Sequence, residues 1–330
     1  MVKCRIISDL HYTKGINGPD WNKTYKQSGL WHYFGKKFQE KADVTLIAGD
    51  ICEGVEKHKE FLESFFKDQK VIFIDGNHIV YFTDENYTKP ILLDLKHKLK
   101  EEFPKEHMFW HYLENDWMWI DYPNVAIIGS TFYTDYKYCD LTLEELNKKA
   151  YAWHIWSELY GLASDFKPYE KLNTKAIQIE TMSEARSRLN DFKWGNENTY
   201  KSLTPEYYLE LHKLAKKEVK RCHDEILQIN PNAKIILMTH HCLSPKCIDP
   251  KYKKGLLNAS YTSNLENWID SKLPGIKLII SGHVHNRNSF EFGKRKVKYI
   301  LNPCGYIPYN EPFTKEWKFN PNLFIETDNL

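Results

Sequence analysis

The sequence predicts an α/β fold, and three observations carry that expectation. Short β-branched runs alternate with amphipathic stretches through the first third of the chain, the runs read as strands buried on both faces, and the same rhythm resumes beyond residue 230. In order, "KCRII" (3–7), "VTLIAG" (44–49), "KVIFID" (70–75) and "NVAIIG" (124–129) read as strands. Between them lie "GLWHYFGKKFQEK", with Leu30, Phe34 and Phe38 four apart, and "VEKHKEFLESFF", both with helical spacing. The simplest arrangement is a central sheet covered by helices.

Residues 131–205 break the rhythm. A helix starts at "LTLEEL", where Thr142 and Glu145 form a capping box. Beyond it the stretch reads as loop-rich and aromatic-rich, with Trp153, Trp156, Tyr160, Tyr169, Trp194 and Tyr200. A long helix follows in "SLTPEYYLELHKLAKKEVKRCHDEIL", with Thr204 as N-cap, Pro205 at the first helical position and an apolar face of Tyr208, Leu211, Ala215, Val219, Cys222 and Ile226. Strands then return at "KIILMTH" (234–240) and "IKLIISG" (276–282), and "SFEF-GKRK-VKYIL" (289–301) reads as a hairpin. With no repeat and no low-complexity linker, residues 1–330 read as one domain carrying an insertion at 131–205.

Composition narrows the partners. A formal net charge of +2 over 330 residues gives no global field for nucleic acid or anionic membrane. No apolar run approaches membrane-spanning length, and "MVKCRIISDLHY" holds too short an apolar segment for a signal peptide. The seven cysteines are scattered singly, without a CxxC pair, which points to a reducing, cytoplasmic compartment. The Lys-, Asn-, Ile- and Tyr-rich composition hints at AT-rich coding.

The chemistry gathers where the strands end. The first ends in "SDLH" (Asp9, His11), the second in "GD" (Asp50), the third in "GNH" (Asn77, His78), a later one in "THH" (His240, His241), and the next in "GHVH" (His283, His285). Taken alone, each is an ordinary turn or a satisfied imidazole. Together they are not, because independent turns would scatter Asp, Asn and His to both strand ends, whereas ligand sites of open α/β sheets gather at the carboxyl ends. Carboxylate, carboxamide oxygen and imidazole suit borderline divalent ions. The set divides into two sites sharing one carboxylate. One ion can take Asp9, His11, Asp50 and His285, and the other Asp50, Asn77, His283 and one histidine of "THH". The i, i+2 spacing of "GHVH" then feeds one histidine to each ion, at the separation of about 3.5–4 Å that turns a trapped water into a hydroxide nucleophile. Two divalent ions less two carboxylates leave local positive charge that draws a phosphate. His78, next to a ligand, is placed to stabilise the transition state or protonate the leaving oxygen.

In this order the residues resemble the calcineurin-like metallophosphoesterase superfamily, whose pattern runs D-x-H, G-D, G-N-H, H, G-H-x-H; the match covers roughly 1–130 and 234–305. "GSTFYTDY", "TPEYYLELH", "THHCLSPKCIDPKY", "LNASYTSNLE" and "NPCGY" are similar to a bacterial and phage branch of it. The resemblance implies a four-layer α/β/β/α sandwich, with the aromatic-rich insertion as a cap, and hydrolysis of phosphate esters at two divalent ions, Mn being expected and Fe, Zn or Ni the alternatives. It also implies His240 as the "THH" ligand, since the family places the ligand directly at the strand end, and leaves His241 and Tyr306 as candidate substrate contacts. One departure is Ile79, where many members follow "GNH" with Glu or Asp; an acidic partner for His78 is then missing.

Substrate is less determined. Residues 131–205 carry ten Lys or Arg against eleven Asp or Glu, so the insertion is no basic clamp for long duplex DNA. The expected partner is a small phosphorylated, nucleotide-like molecule (a nucleotide, a cyclic nucleotide or a short oligonucleotide end) cleaved as a diester or monoester. A DNA or RNA nuclease of the same superfamily is the alternative, and a non-catalytic interaction module on this fold comes last because no ligand is lost. Oligomeric state has no signal in the sequence.

Overall fold

The computed structural model describes residues 1–12, 38, 40–80, 89–159, 167–193, 203–305 and 319–330. Their strands form two sheets. The first runs β11 (Phe324–Glu326), β1 (Lys3–Ile7), β2 (Val44–Ala48), β3 (Val71–Ile74), β4 (Trp110–Tyr112), and the second β5 (Asp116–Asp121), β6 (Val125–Ser130), β7 (Lys234–Thr239), β8 (Ile276–Ser281), β10 (Val297–Leu301), β9 (Asn288–Phe292). Strands β1 to β4 are parallel, as are β6, β7, β8 and β10, while β11, β5 and β9 close edges antiparallel. The helices are α1 (Val55–Phe65), α2 (Lys89–Glu102), α3 (Leu143–Leu159), α4 (Thr174–Arg188), α5 (Asn190–Lys193), α6 (Pro205–Ile229), α7 (Asn258–Tyr261) and α8 (Glu266–Lys272).

Side chains of a strand alternate between faces, and that alternation sorts the buried residues into layers. Ile6, Leu46, Ala48, Ile72 and Ile74 of the first sheet share one apolar cluster with Val125, Ile127, Ile236, Met238, Leu278 and Ile280 of the second. Their neighbours Ile7, Ile47 and Phe73 face Phe61 and Leu62 of α1 and Leu92 and Leu99 of α2. Ala126, Ile128, Leu237 and Ile279 face Ala215, Val219, Cys222 and Ile226 of α6 and Ile269 of α8. Helix, sheet, sheet, helix: four layers result. Each such side chain contributes about 1.5–3 kcal/mol of burial.

The single central sheet expected from the strand rhythm is therefore corrected to two. A continuous apolar run shows that both faces are covered, but not whether a helix or a second sheet covers them. The loop-rich reading beyond the "LTLEEL" helix is corrected as well, because α4 occupies residues 174–188, with Asn173 capping it by accepting from the Ala176 N–H at 3.0 Å. Its buried side chains are Ala176, Ile177, Thr181 and Ala185, small and sparse, so no apolar stripe announced it. The expected capping box is present: Glu145 accepts from the Thr142 N–H at 2.8 Å, and Thr142 Oγ1 accepts from the Glu145 N–H at 3.2 Å. Thr204 caps α6, whose face is buried as read, apart from a half-buried Leu211 and with His212 added to it. Leu30 and Phe34 lie outside the described residues; Phe38 is buried.

Candidate metal centre

Every motif lies where a strand of one sheet meets the other sheet. Asp9 and His11 follow β1, Asp50 follows β2, Asn77 and His78 follow β3, His240 and His241 follow β7, and His283 and His285 follow β8. Asp9 Oδ1 accepts from the His283 N–H at 2.7 Å and lies 3.4 Å from His285 Nε2, joining residues some 274 positions apart. His240 Nδ1 meets the Ala48 carbonyl at 3.0 Å, and its Nε2 lies 3.2 Å from Asp50 Oδ2 and 3.1 Å from Asn77 Oδ1.

The backbone is forced at this edge. Asp9, His11, Asp50, His283 and His285 all have positive φ, between 45° and 69°. Left-handed conformations disfavour any residue with a Cβ, by roughly 1–2 kcal/mol each. Such strain persists where the surroundings over-determine it, which is characteristic of sites. Gly282 itself does not take the positive φ. It is there for closeness: a Cβ on it would stand 2.5 Å from Asp9 Oδ2 and 2.8 Å from the Ala48 oxygen. Gly76 is equally constrained, since a Cβ on it would run into Asp50 Oδ1.

Among the described residues, three overlapping groups could each hold a cation, with ligand atoms within 4.8 Å of one another: Asp9, His11 and His285; Asp50, His240 and His283; and His11, Asp50 and His78. The first brings together Asp9, His11 and His285, the second Asp50, His240 and His283, and Asn77 Oδ1 lies beside His240 Nε2. His11 and His285 aim their Nε2 atoms at each other 3.0 Å apart. Burial and neighbouring His78 hold His11 well below the usual imidazole range, and burial with His241 and His240 does the same to His283. Neutral imidazoles whose lone pairs converge beside carboxylates are what a divalent ion requires, so the donor set fits two such ions. Burial alone would raise the Asp50 carboxyl, but His240 and His78 hold it well below the ordinary value. His240 is pulled down by burial and pushed up further by Asp50, to about 9.

Of the remaining candidates, His78 stands beside Asp50. The His78 N–H donates to Asp50 Oδ1 at 3.0 Å, its Nε2 stands 3.9 Å from Asp50 Oδ2, and its ring meets His11 edge-on at 4.5 Å. Ile79 packs into the apolar cluster beneath α1, so an acid in its place would enter the core. His241 is buried against His283, ring centroids 4.2 Å apart, and burial followed by His240 lowers its pKa to about 3. Tyr306 lies outside the described residues.

A cleft of about 620 Å³ opens on Asp50, Asn77, His78, His241, His283 and His285. Its wall includes Tyr136, Lys149, Glu184, Arg188 and Asp191 from the 131–205 stretch, Asp249 and Tyr252 from the segment after β7, and Tyr261 at the end of α7. Of the six aromatics singled out in that stretch, only Tyr169 has its side chain among those described; it donates to Glu180 Oε1 at 2.6 Å and does not line the cleft. Sequence reasoning missed two further groups. The Thr131 carbonyl accepts from the N–H groups of His240 and His241 at 3.3 and 3.2 Å, and Asp191 accepts from Asn77 Nδ2 at 3.1 Å. A backbone carbonyl leaves no mark in a sequence, and Asp191 reads as one acid among eleven.

Residues 3–287 match the family model described as calcineurin-like phosphoesterase. No curated protein matches the chain. Thirty-six solved chains do resemble it in structure. One, a phosphopantetheinyl hydrolase from Mycobacterium tuberculosis, aligns over 96% of this chain and 94% of its own at 17% identity, with a TM-score of 0.57. Another, a dimetal phosphatase from Danio rerio, aligns over 91% of this chain and 86% of its own at 13% identity, with a TM-score of 0.44.

Proposed function

The chain belongs to the calcineurin-like phosphoesterases and is a hydrolase of phosphate esters; from that premise we propose that it cleaves a small, nucleotide-like phosphodiester or phosphomonoester at a centre of two divalent ions, Mn foremost. The observation that carries this reading is the convergence of Asp9, His11, Asp50, His283 and His285, each in a left-handed conformation, into overlapping ligand clusters, of which Asp50, His283 and His285 line one cleft. Asp9, His11, Asp50 and His285 would hold one ion, and Asp50, Asn77, His240 and His283 the other. When bound there, such ions supply charge neutralisation for the phosphate and acidify water.

The protein's own groups do the rest. His78, partly exposed at the cleft, holds its imidazole beside Asp50 and gives a proton to the leaving oxygen. His241 lines the cleft and contacts the phosphoryl group. The cleft volume suits a mononucleotide-sized ligand, and Tyr252 and Tyr261 offer rings for a flat leaving group. Lys149 and Arg188 stand among Glu184, Asp191 and Asp249, a mixed wall that favours a small ester over a long polyanion. All seven cysteines are free thiols, which accords with a cytoplasmic location.

Mn²⁺-loaded protein is expected to hydrolyse bis-p-nitrophenyl phosphate. His78→Ala is expected to lose activity by about 10²–10⁴-fold while its metal content is unchanged; full activity in that variant would remove His78 from the chemistry. A panel of nucleotides, cyclic dinucleotides and single-stranded oligonucleotides then identifies the ester. Steeply salt-dependent binding to DNA or RNA, with little turnover of small esters, would favour a nuclease instead.

A further inference from the structure

Asn77 is an ambiguous ligand. Its carboxamide carries an oxygen that can face a cation and an NH₂ that cannot, on two nearly identical arms. Something must fix which arm points into the centre. In the structure the oxygen lies 3.1 Å from His240 Nε2, on the side of Asp50 and His283, while the NH₂ donates to Asp191 Oδ1 at 3.1 Å. Both side chains are almost wholly buried, Asn77 with 4% and Asp191 with 6% of its surface exposed.

A carboxylate only accepts, so the pairing with Asp191 admits a single orientation of the amide. Flipping Asn77 would set its oxygen against a carboxylate oxygen in a buried site, leaving both acceptors without that donor. Asp191 belongs to the short helix α5, directly after α4, which touches α6 and α7. It therefore stands on the wall of the cleft, outside every motif that marks the centre.

We propose that Asp191 is a positioning residue for Asn77, holding the amide oxygen toward the Asp50–His240–His283 half of the centre and so tying the helices after residue 131 to one cation position. This rests on the two-ion reading above.

Mn²⁺ titration of the whole protein, following free Mn²⁺ by electron paramagnetic resonance, tests it. Wild type is expected to take up two ions. Asp191→Asn, close in shape but able to donate as well as accept, is expected to weaken one of the two dissociation constants by about 10–100-fold, the range found for groups that orient metal ligands, and to leave the other unchanged. Asn77→Asp should set two carboxylates against each other and weaken the same ion. The double variant Asn77→Asp with Asp191→Asn restores a donor to an acceptor and should recover most of that loss, a coupling a merely structural defect would not show. Thermal unfolding of the metal-free variants confirms that each is folded. Two wild-type dissociation constants in Asp191→Asn, or no recovery in the double variant, would overturn the proposal. Wild-type protein that binds no metal would instead overturn the two-ion reading.

Discussion

Asp9, His11 and His285 on one side of the centre, and His240 and Asn77 on the other, are positioned by different means, although Asp50 and His283, which complete the His240 half, are left-handed as well. Asp9, His11 and His285 are all left-handed, so their directions are set by the backbone itself. His240 and Asn77 keep ordinary backbone conformations and are aimed from outside, by the Ala48 and Thr131 carbonyls and by Asp191. Backbone strain adds to side-chain hydrogen bonds on that side, as where Asp9 accepts from Ser8 Oγ and the His283 N–H. Hydrogen-bonded scaffolding requires buried polar groups beneath the site, and a connected network supplies them. Lys96 Nζ lies 2.7 Å from Asp75 Oδ2 and 3.1 Å from Glu114 Oε1, and donates to Thr131 Oγ1 at 2.9 Å.

The largest break should come at the residue both halves share. Asp50→Ala is expected to reduce bound metal from two ions to none by elemental analysis and to abolish activity; retention of two ions would refute the sharing. One step smaller, His285→Ala and His240→Ala should each remove one ion, and not the same one. Identical metal-binding curves for the two variants would erase the distinction between the halves.

Next comes the scaffold. Lys96→Met leaves buried Asp75 and half-buried Glu114 without their cation and should destabilise the protein by about 3–5 kcal/mol. Burial raises the Glu114 carboxyl, Lys96 pulls it down, and the net direction is up. A carboxyl raised in the folded state contributes stability at low pH that fades as pH rises through its folded value. Without Lys96 that fading should steepen, so the deficit measured by urea unfolding should be larger at pH 8 than at pH 5. An equal deficit at both pH values would mean that the pair does not carry the effect. The smallest effect is expected from Gly282→Ala, which pushes a methyl against Asp9 Oδ2 and the Ala48 oxygen and should lower stability by about 1–3 kcal/mol. Unchanged denaturant stability would show that this contact can relax freely.

Much of this was legible beforehand. The strand runs ending in Asp, Asn and His were visible because local spacing and residue type sufficed, and each of those residues falls at the junction of the sheets. What stayed hidden depends on partners distant in sequence. β11 is three residues long and pairs with β1 across nearly the whole chain. β5 is half-buried along its length, with Trp117 and Trp119 between polar ends, and gives no clear alternation. The left-handed backbone at Asp9, His11 and His285 follows from the crossing of two sheets, and no propensity encodes that. Asp191 carried no signal because its partner, Asn77, lies 114 positions away.

The tie between Asp9 Oδ1 and the His283 N–H has a mechanical meaning. Each residue is anchored to a different sheet, and His240 fastens the same seam in the opposite sense by reaching Ala48. A slip of one sheet along the other by a single residue, about 3.3 Å, would unfasten both rivets at once. The protein therefore cannot shear its sandwich and keep its reactive pocket. Amide hydrogens along β1, β2, β7 and β8 should accordingly gain protection from exchange together when the pocket is filled.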